Sequence, residues 1–208
     1  MQTVPLDIIA AVLHLHDEIE DAASTVEASA EGASMVIEKT SKYPNGDTYI
    51  GHVDNDGQRD GQGILTKANG DVYEGQFKGG MRHGEGKYTW ADGDVYDGEF
   101  GYDFMHGKGK MKCIDGTVYD GEWSNNKMHG KGKMKFKDGQ EYDGEWLADN
   151  WHGKGKMKFQ DGLENDGEWF ADKLHGKGKM KFQDGQEYDG EWQKGIFEDL
   201  MSNMSDIV

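Results

Sequence analysis

One step length recurs along this 208-residue chain and limits what it can fold into. A tyrosine-x-glycine motif returns every 23 residues from Tyr73 to Tyr188, with Asn165 in place of one tyrosine, and Tyr49 opens an earlier unit of 24 residues. Six units are complete and a seventh is only begun, and they start at Tyr49, Tyr73, Tyr96, Tyr119, Tyr142, Asn165 and Tyr188. A repeat of this length is one small structural unit that buries its apolar face by stacking on its neighbours.

Side chains within each unit alternate with a period of two, which is typical of β-strands and not of helices. In the unit from Tyr142, Tyr142 and Trp146 share one face of residues 142–146, and acids lie on the other. Residues 151–159 place apolar side chains and glycines on one face and His and Lys on the other. Short turns at 147–150 and 160–162 separate the two segments from each other and from the next unit. Each unit is therefore predicted to be a β-hairpin.

Charge and glycine placement predict how the hairpins stack. The outer face of the first strand is acidic and that of the second is basic, which favours antiparallel pairing. Gly144, Gly153 and Gly155 leave room beside the large rings, where a bulky neighbour would force them apart. We expect an all-β fold, an elongated single-layer twisted antiparallel sheet of about 13 strands spaced ~4.8 Å apart. One face of this sheet would be aromatic and the other charged.

The Tyr-x-Gly-x-Trp/Phe opening, the later Gly-x-Gly pair and the 23-residue step together resemble MORN repeats (membrane occupation and recognition nexus). The resemblance covers residues 49 to about 192. It implies an elongated, twisted single-layer sheet with an aromatic groove. It also implies a role as a binding scaffold, found alone or attached to enzymes. The chain departs from the pattern at Asn165 and at Val53, where an aromatic residue is expected.

The aromatic groove is the predicted partner-binding site. An apolar face that no second layer covers marks a binding surface, and aromatic residues near its centre are the usual anchors. The predicted groove residues are Tyr73, Phe77, Tyr96, Phe100, Tyr119, Trp123, Tyr142, Trp146, Trp151, Trp169, Tyr188 and Trp192.

Residues 1–40 form a separate predicted unit, an acidic amphipathic helix followed by a linker at 31–34. This segment holds eight acids against Lys39, so its net charge is −7. The helix is expected from about Pro5 to residue 29, with a stripe at steps of 4, 3, 4, 3 and 4 that is typical of a packed helix. The stripe consists of Ile8, Val12, Leu15, Ile19, Ala22 and Val26. Two interpretations stay open: a cap or frayed tail beside the first hairpin, or a recognition or dimerisation helix.

The repeat array is predicted over residues 41–192, and a C-terminal capping helix over 193–208. Apolar residues there recur at steps of 3 and 4, from Phe197 through Leu200 to Met204. A repeat array needs such a cap, because its last strand would otherwise expose an unpaired edge. Asn165 is a predicted weak point, since a missing ring removes contacts between hairpins, and Asn165→Tyr is expected to raise the melting temperature.

No catalytic residue, cofactor or metal ligand is predicted. His83, His106, His129, His152 and His175 form a row, but two strands separate neighbours by ~9.5 Å, too far for one ion. The Gly-x-Gly pairs lack the third glycine and the helix of a phosphate loop. Cys113 takes the place of a core Phe and is predicted to pack. As the only cysteine, it makes the cytosol the expected compartment.

The predicted function is a non-enzymatic scaffold whose groove binds an amphipathic helix. That helix is the chain's own residues 6–26, the same segment of a second chain in a homodimer, or another protein. The alternative is a phospholipid- or membrane-associated adaptor, which the net charge of −17 disfavours along with any nucleic-acid partner. Attachment to cytoskeleton or membrane would then run through a partner.

Overall fold

The computed structural model describes residues 37–197, which form one open antiparallel sheet in which each strand pairs with the strands next to it in sequence. The fifteen strands of this part are β1 Ile37–Lys42, β2 Thr48–Val53, β3 Arg59–Thr66, β4 Val72–Lys78, β5 Met81–Thr89, β6 Val95–Gly101, β7 Phe104–Lys112, β8 Val118–Ser124, β9 Lys127–Lys135, β10 Glu141–Leu147, β11 Asn150–Lys158, β12 Glu164–Phe170, β13 Lys173–Lys181, β14 Glu187–Gln193 and β15 Ile196–Phe197. The predicted all-β single-layer sheet of stacked hairpins is confirmed. Both predicted terminal helices lie outside the described residues, apart from residues 193–197.

The strand register follows the alternation of the sequence. Tyr142 pairs with Met157 and Trp146 with Trp151, so apolar side chains meet on one face. We call this face of the whole sheet the aromatic face and the other the outer face. On the outer face Lys156 pairs with Asp166, as the acidic and basic strands predict.

The sheet begins earlier than the predicted boundary at residue 41. Residues 37–40 belong to β1, which pairs with β2 from Ile37 opposite Val53 to Lys42 opposite Thr48. No alternation of apolar residues marks β1 in the sequence. β1 provides hydrogen-bond partners for the backbone N–H and C=O groups along the edge of β2, which would otherwise be unpaired.

The sheet also continues past the predicted boundary at residue 192. The start of the expected 193–208 helix is instead the end of β14, a turn at Lys194 and Gly195, and β15. The turn occupies the repeat position of Ala171 and Asp172, so the seventh unit keeps the hairpin geometry. The part of the predicted capping helix from residue 198 onward lies outside the described residues.

A β-bulge interrupts each hairpin from β2–β3 to β12–β13 and gives the two glycines of the Gly-x-Gly pair different roles. The register of β10 and β11 shifts after Gly144, which pairs with Gly155. Gly153 has a φ of 57°, a left-handed conformation, and a Cβ there would meet the carboxylate of Glu145. Gly155 lies beneath the ring of Tyr142, so a Cβ there would strike the phenol oxygen. The expectation that glycines make room for rings is confirmed for Gly144 and Gly155, whereas Gly153 is required by the bulge.

Two-residue turns with positive φ at both positions join the strands of the six hairpins from β4–β5 to β14–β15, the geometry of type I′ turns. Asn125 and Asn126 suit this geometry, with φ values of 50° and 64°. Ala148 and Ala171 occupy the equivalent of Asn125 with φ values of 50° and 47°. Alanine is strained there because its Cβ crowds the backbone, whereas Asn tolerates the left-handed region.

Replacing the strained alanine tests this assignment. We expect Ala148→Asn to raise the free energy of unfolding by about 0.5–1 kcal/mol, measured by urea denaturation. Ala91→Asn is the matched control, because Ala91 is an exposed turn residue that is not among those with positive φ. An equal gain at both positions would show that the stabilisation does not come from the backbone conformation.

Candidate functional site

Most of the predicted groove residues form the core of the sheet. Ten of the twelve are buried, and only Trp151 and Tyr188 are half-buried. The tyrosines lie flat over the paired glycines, and each contacts the next large rings edge-on. Tyr96, for example, meets Phe100 at 5.1 Å and Trp123 at 5.3 Å between ring centroids. The partner-binding role of these residues stays a prediction, and apart from Trp151 and Tyr188 the accessible part of the aromatic face consists of other side chains.

Hydrogen bonds fix the buried rings to the backbone. The hydroxyl of Tyr96 donates to the carbonyl of Glu99 at 2.9 Å, at the bulge of its strand. The Nε1 of Trp123 donates to the carbonyl of Gly109 at 3.0 Å. Trp146, Trp169 and Trp192 repeat this bond to the matching glycine of the preceding unit. Ring packing and these bonds together make the aromatic face a rigid support.

A row of larger side chains lies over the buried rings. These residues occupy one position per unit, immediately before the His-Gly or Asp-Gly pair. We call them the cover row: Arg59, Arg82, Met105, Met128, Trp151 and Leu174. All but Leu174 are half-buried, so they combine contact with the core and contact with solvent. Trp151 stacks on Tyr142 with 4.6 Å between centroids and an interplanar angle of 7°.

A second row on the same face is rich in methionine. It contains Met111, Met134, Met157 and Met180, and in the first two units Leu65 and Tyr88 take the equivalent position. Met111, Met134 and Met180 are half-buried, as are Trp90, Phe136 and Phe159 beyond the ends of these strands. The aromatic face of the described residues therefore presents a band of partly exposed Met, Trp, Phe and Arg side chains.

The turn of the following hairpin holds each central cover-row residue in place. The backbone N–H of Met128 donates to Oδ1 of Asp149 at 2.9 Å, and the N–H of Asp149 donates to the carbonyl of Met128 at 3.1 Å. Asn126 holds Met105 in the same way, and Asp172 holds Trp151. Trp151 is the one member of this row among the predicted groove residues, although the constant place of the row before the Gly-x-Gly pair was a usable signal for all six.

In the unit that begins at Asn165, another side chain fills the space of the missing tyrosine ring. Leu174 is only 3% exposed and lies over Gly178, where a Cβ would be 3.0 Å from its Cδ1. In other units the tyrosine ring occupies this place. The amide Oδ1 of Asn165 is buried and has no hydrogen-bond partner within residues 37–197. The expected stabilisation by Asn165→Tyr alone is therefore withdrawn, because a new ring would collide with Leu174.

Cross-strand ion pairs lie on the outer face. Lys133 contacts Glu141 at 2.8 Å, and Lys110 contacts Asp120 at 2.8 Å. The neighbouring amines of Lys133 and Lys135 hold the pKa of Glu141 below its usual range. The lysines thus meet acids of the adjacent strand and do not form an uninterrupted basic surface.

The described residues offer no prominent reactive centre. No group of three or more His, Cys, Asp or Glu side chains among residues 37–197 is placed to hold a metal ion. Burial, followed by the carboxylates of Asp94 and Asp115, raises the pKa of the Cys113 thiol, which favours the unreactive protonated form. His152 and His175 instead contact the exposed ring of Phe170, at 5.9 and 6.0 Å. Across the same range, no helix has the length and apolar character needed to cross a membrane.

Burial of the tyrosine row should make the fold sensitive to alkali. Burial raises the pKa of Tyr49 and Tyr73 to about 12, and it also raises the pKa of Tyr96, Tyr119 and Tyr142. An unfolded phenol loses its proton near pH ~10, so stability is complete below this pH and falls as pH rises through about 12. We expect tyrosinate absorbance and loss of the β-sheet circular dichroism to rise together above pH ~10. Complete tyrosine titration of a still-folded protein would contradict the buried arrangement.

Comparison with known proteins agrees with the repeat geometry. The family model described as MORN repeat matches seven times, at residues 49–72, 73–95, 96–118, 119–141, 142–164, 166–187 and 188–198. No curated protein matches the sequence of the chain. One similar solved structure is the Drosophila melanogaster SAS-4 (dCPAP) TCP domain in complex with a proline-rich motif of Ana2 (dSTIL). It is 16% identical, with a TM-score of 0.44, covering 80% of this chain and 97% of that chain. Another is the TCP10 domain of Danio rerio CPAP, 14% identical, with a TM-score of 0.35 and coverage of 81% and 95%.

Proposed function

The chain belongs to the MORN-repeat family, and we propose that it is a non-enzymatic protein-interaction scaffold whose aromatic face binds an amphipathic helix. The observation that carries this proposal is the half-buried band formed by the cover row and the methionine row. Each described strand packs only within one sheet, so no second layer of described residues covers this band. A partly exposed apolar band of this kind marks an interaction surface.

The chemistry of the band suits a protein helix. An α-helix with its side chains is ~10–12 Å wide, about the length of three to four residues along a strand, so a helix lying across the strands fits within the band. Aromatic residues, Met and Arg are enriched at protein interfaces, and unbranched Met side chains adapt to different partners. The rigid rings beneath the band keep the surface in place before binding, which reduces the entropy lost on association. The helix belongs to the chain itself, to a second copy or to another protein.

The absence of an enzymatic role is part of the same proposal. The half-buried Cys113 thiol has a raised pKa, and the six histidines of residues 37–197 are spread one per hairpin from β2–β3 to β12–β13. This even spacing supports a structural role for the histidines. It does not bring a nucleophile, a general base and an orienting group together at one site.

A charge on the band tests the proposal. We expect Met128→Glu to reduce capture of protein partners from a lysate about tenfold, because a carboxylate buried at an apolar interface is costly. Lys127→Glu is the matched control: Lys127 is the exposed preceding residue of β9, on the outer face, and its substitution changes the net charge more. Circular dichroism verifies that both variants are folded.

Partner capture by the two variants shows which face of the sheet binds. Equal capture by Met128→Glu and the unchanged chain, with both folded, would place binding elsewhere. Loss of capture by Lys127→Glu alone would assign it to the outer face.

A further inference from the structure

The cover row changes its chemistry along the array. The first two members are Arg59 and Arg82, which are the only arginines of the chain. Later members are Met105, Met128 and Trp151, which carry no charge. The cover row of the aromatic face is therefore positively charged at the end near β1 and uncharged from β7 onward.

Both guanidinium groups lie over aromatic rings and keep donors for a further partner. The Cζ of Arg59 is 5.1 Å from the ring of Phe77, and its Nη2 donates to the carbonyl of Gly80. Among the ion pairs of residues 37–197, none involves Arg59. Arg82 is 5.0 Å from the ring of Tyr88 and pairs with Asp103 through Nε. A guanidinium has five N–H donors, so these contacts leave several free for carboxylates.

Other charges at this end have partners of their own. Asp71 accepts a hydrogen bond from the hydroxyl of Tyr88 at 2.6 Å, and Lys67 lies 5.3 Å from that ring. Asp47 accepts from the N–H of Ala68. Asp60 accepts from the N–H of Gly79. The two arginines lie over the buried rings of the aromatic face with donors to spare, so they can receive an external acid.

Acidic residues are unevenly distributed in the sequence before β1, in a way that complements the charge of the cover row. Five of its acids lie in residues 17–27, whereas residues 6–16 contain only Asp7. The stripe predicted from Ile8 to Val26 runs through both halves. A helix of this sequence would carry its acids at the end nearer β1 and an apolar surface at the other end.

The length of the helix and the length of its connection to β1 both agree with an orientation that places the acidic half over the arginines. A 21-residue helix over 6–26 is ~31 Å long, and the six strand spacings from Arg59 in β3 to Met128 in β9 amount to ~29 Å. Eleven Cα–Cα steps lead from Val26 to Ile37, and they reach ~38 Å only when the segment is almost fully extended. Placing Val26 over β3 requires ~10 Å from β1, whereas placing it over β9 requires ~38 Å. The connection favours the orientation that the charges favour.

We infer that residues 6–26 occupy the aromatic face of their own chain, with the acidic half over Arg59 and Arg82 and the apolar half over Met105 and Met128. The inference rests on the proposed function, because it names the helix that fills the proposed site. A partner helix must then displace this segment, so the N-terminal segment limits access to the scaffold.

A nitroxide label on the full chain tests occupant and direction together. In a Cys113→Ser background, one sample carries the label at Ala11→Cys and its matched sample at Ala23→Cys, ~18 Å apart in a helix. Chains labelled with ¹³C at the methionine methyl groups report the distance. We expect the label at position 11 to broaden the Met128 signal and the label at position 23 to leave it sharp.

Each other outcome overturns the inference. Broadening of Met128 by the label at 23, and not by the label at 11, would reverse the direction. Broadening only in mixtures of spin-labelled and ¹³C-labelled chains would assign the face to a second copy. If neither label affects any aromatic-face methionine, while Met128→Glu still abolishes partner capture, the segment is not the occupant and the proposed function stands.

Discussion

Gly98→Ala should lower the free energy of unfolding by about 3 kcal/mol or more, measured by urea denaturation, because the added methyl group has no space. A Cβ at Gly98 would lie 2.4 Å from the Cα of Gly109 and 2.6 Å from the carbonyl oxygen of Lys108. These are backbone atoms of the paired strand, so no side-chain rotation relieves the collision. In a linear array no distant contact compensates for the local loss.

Gly101→Ala is the matched control on the same strand. Its Cβ would meet His106 at 3.6 Å, an ordinary contact, and Gly101 is not among the residues with positive φ. We expect a change within about 0.5 kcal/mol, as for other surface substitutions. Similar losses at both glycines would mean that alanine harms these strands for a reason unrelated to the close approach at Gly98.

Asn165→Tyr should destabilise the protein by about 1–3 kcal/mol, because the new ring competes with Leu174 for the space above Gly178. Adding Leu174→Met should recover most of the loss. Methionine occupies this position in the units of Met105 and Met128, beside an intact tyrosine. Replacing Leu by Met alone is expected to cost less than about 1.5 kcal/mol, since their volumes are similar.

The free energies of unfolding of the two single variants and the double variant form a cycle. We expect a coupling energy of at least about 1 kcal/mol in favour of the double variant. Additive effects, or a gain from Asn165→Tyr alone, would show that Leu174 does not block the ring.

The sequence predicted the sheet because its signals are local and repeated. Alternation in residues 142–146 and 151–159 indicates strands whatever their neighbours are, and the same pattern recurs in every unit. β1 was missed because its pairing depends on β2 having a free edge. The bulge at Gly153 was also missed, since its left-handed φ is a backbone property and the residue type only permits it.

The site was harder to predict than the fold. Periodicity assigned Tyr142, Trp146 and Trp151 to one face, and the structure confirms that they share it. Periodicity could not show that Tyr142 and Trp146 lie beneath other side chains while Trp151 lies partly in solvent. That difference depends on the order in which side chains stack over the glycines, which no single-strand pattern contains. The exchange of a tyrosine ring for Leu174 likewise depends on contact between two strands.

Methionine methyl signals give the most direct test of whether the aromatic face binds an amphipathic helix. The full chain carrying Leu15→Asp and Ile19→Asp, changes that place charges in the predicted stripe, is titrated with a peptide of wild-type residues 5–29. We predict saturable shifts of the Met105 and Met128 signals and none at Met81, which is exposed on the outer face. A peptide carrying the same two aspartates should leave all of them unchanged. Unchanged signals from every aromatic-face methionine at saturating wild-type peptide, or shifts at Met81 alone, would contradict binding of the N-terminal segment to the aromatic face.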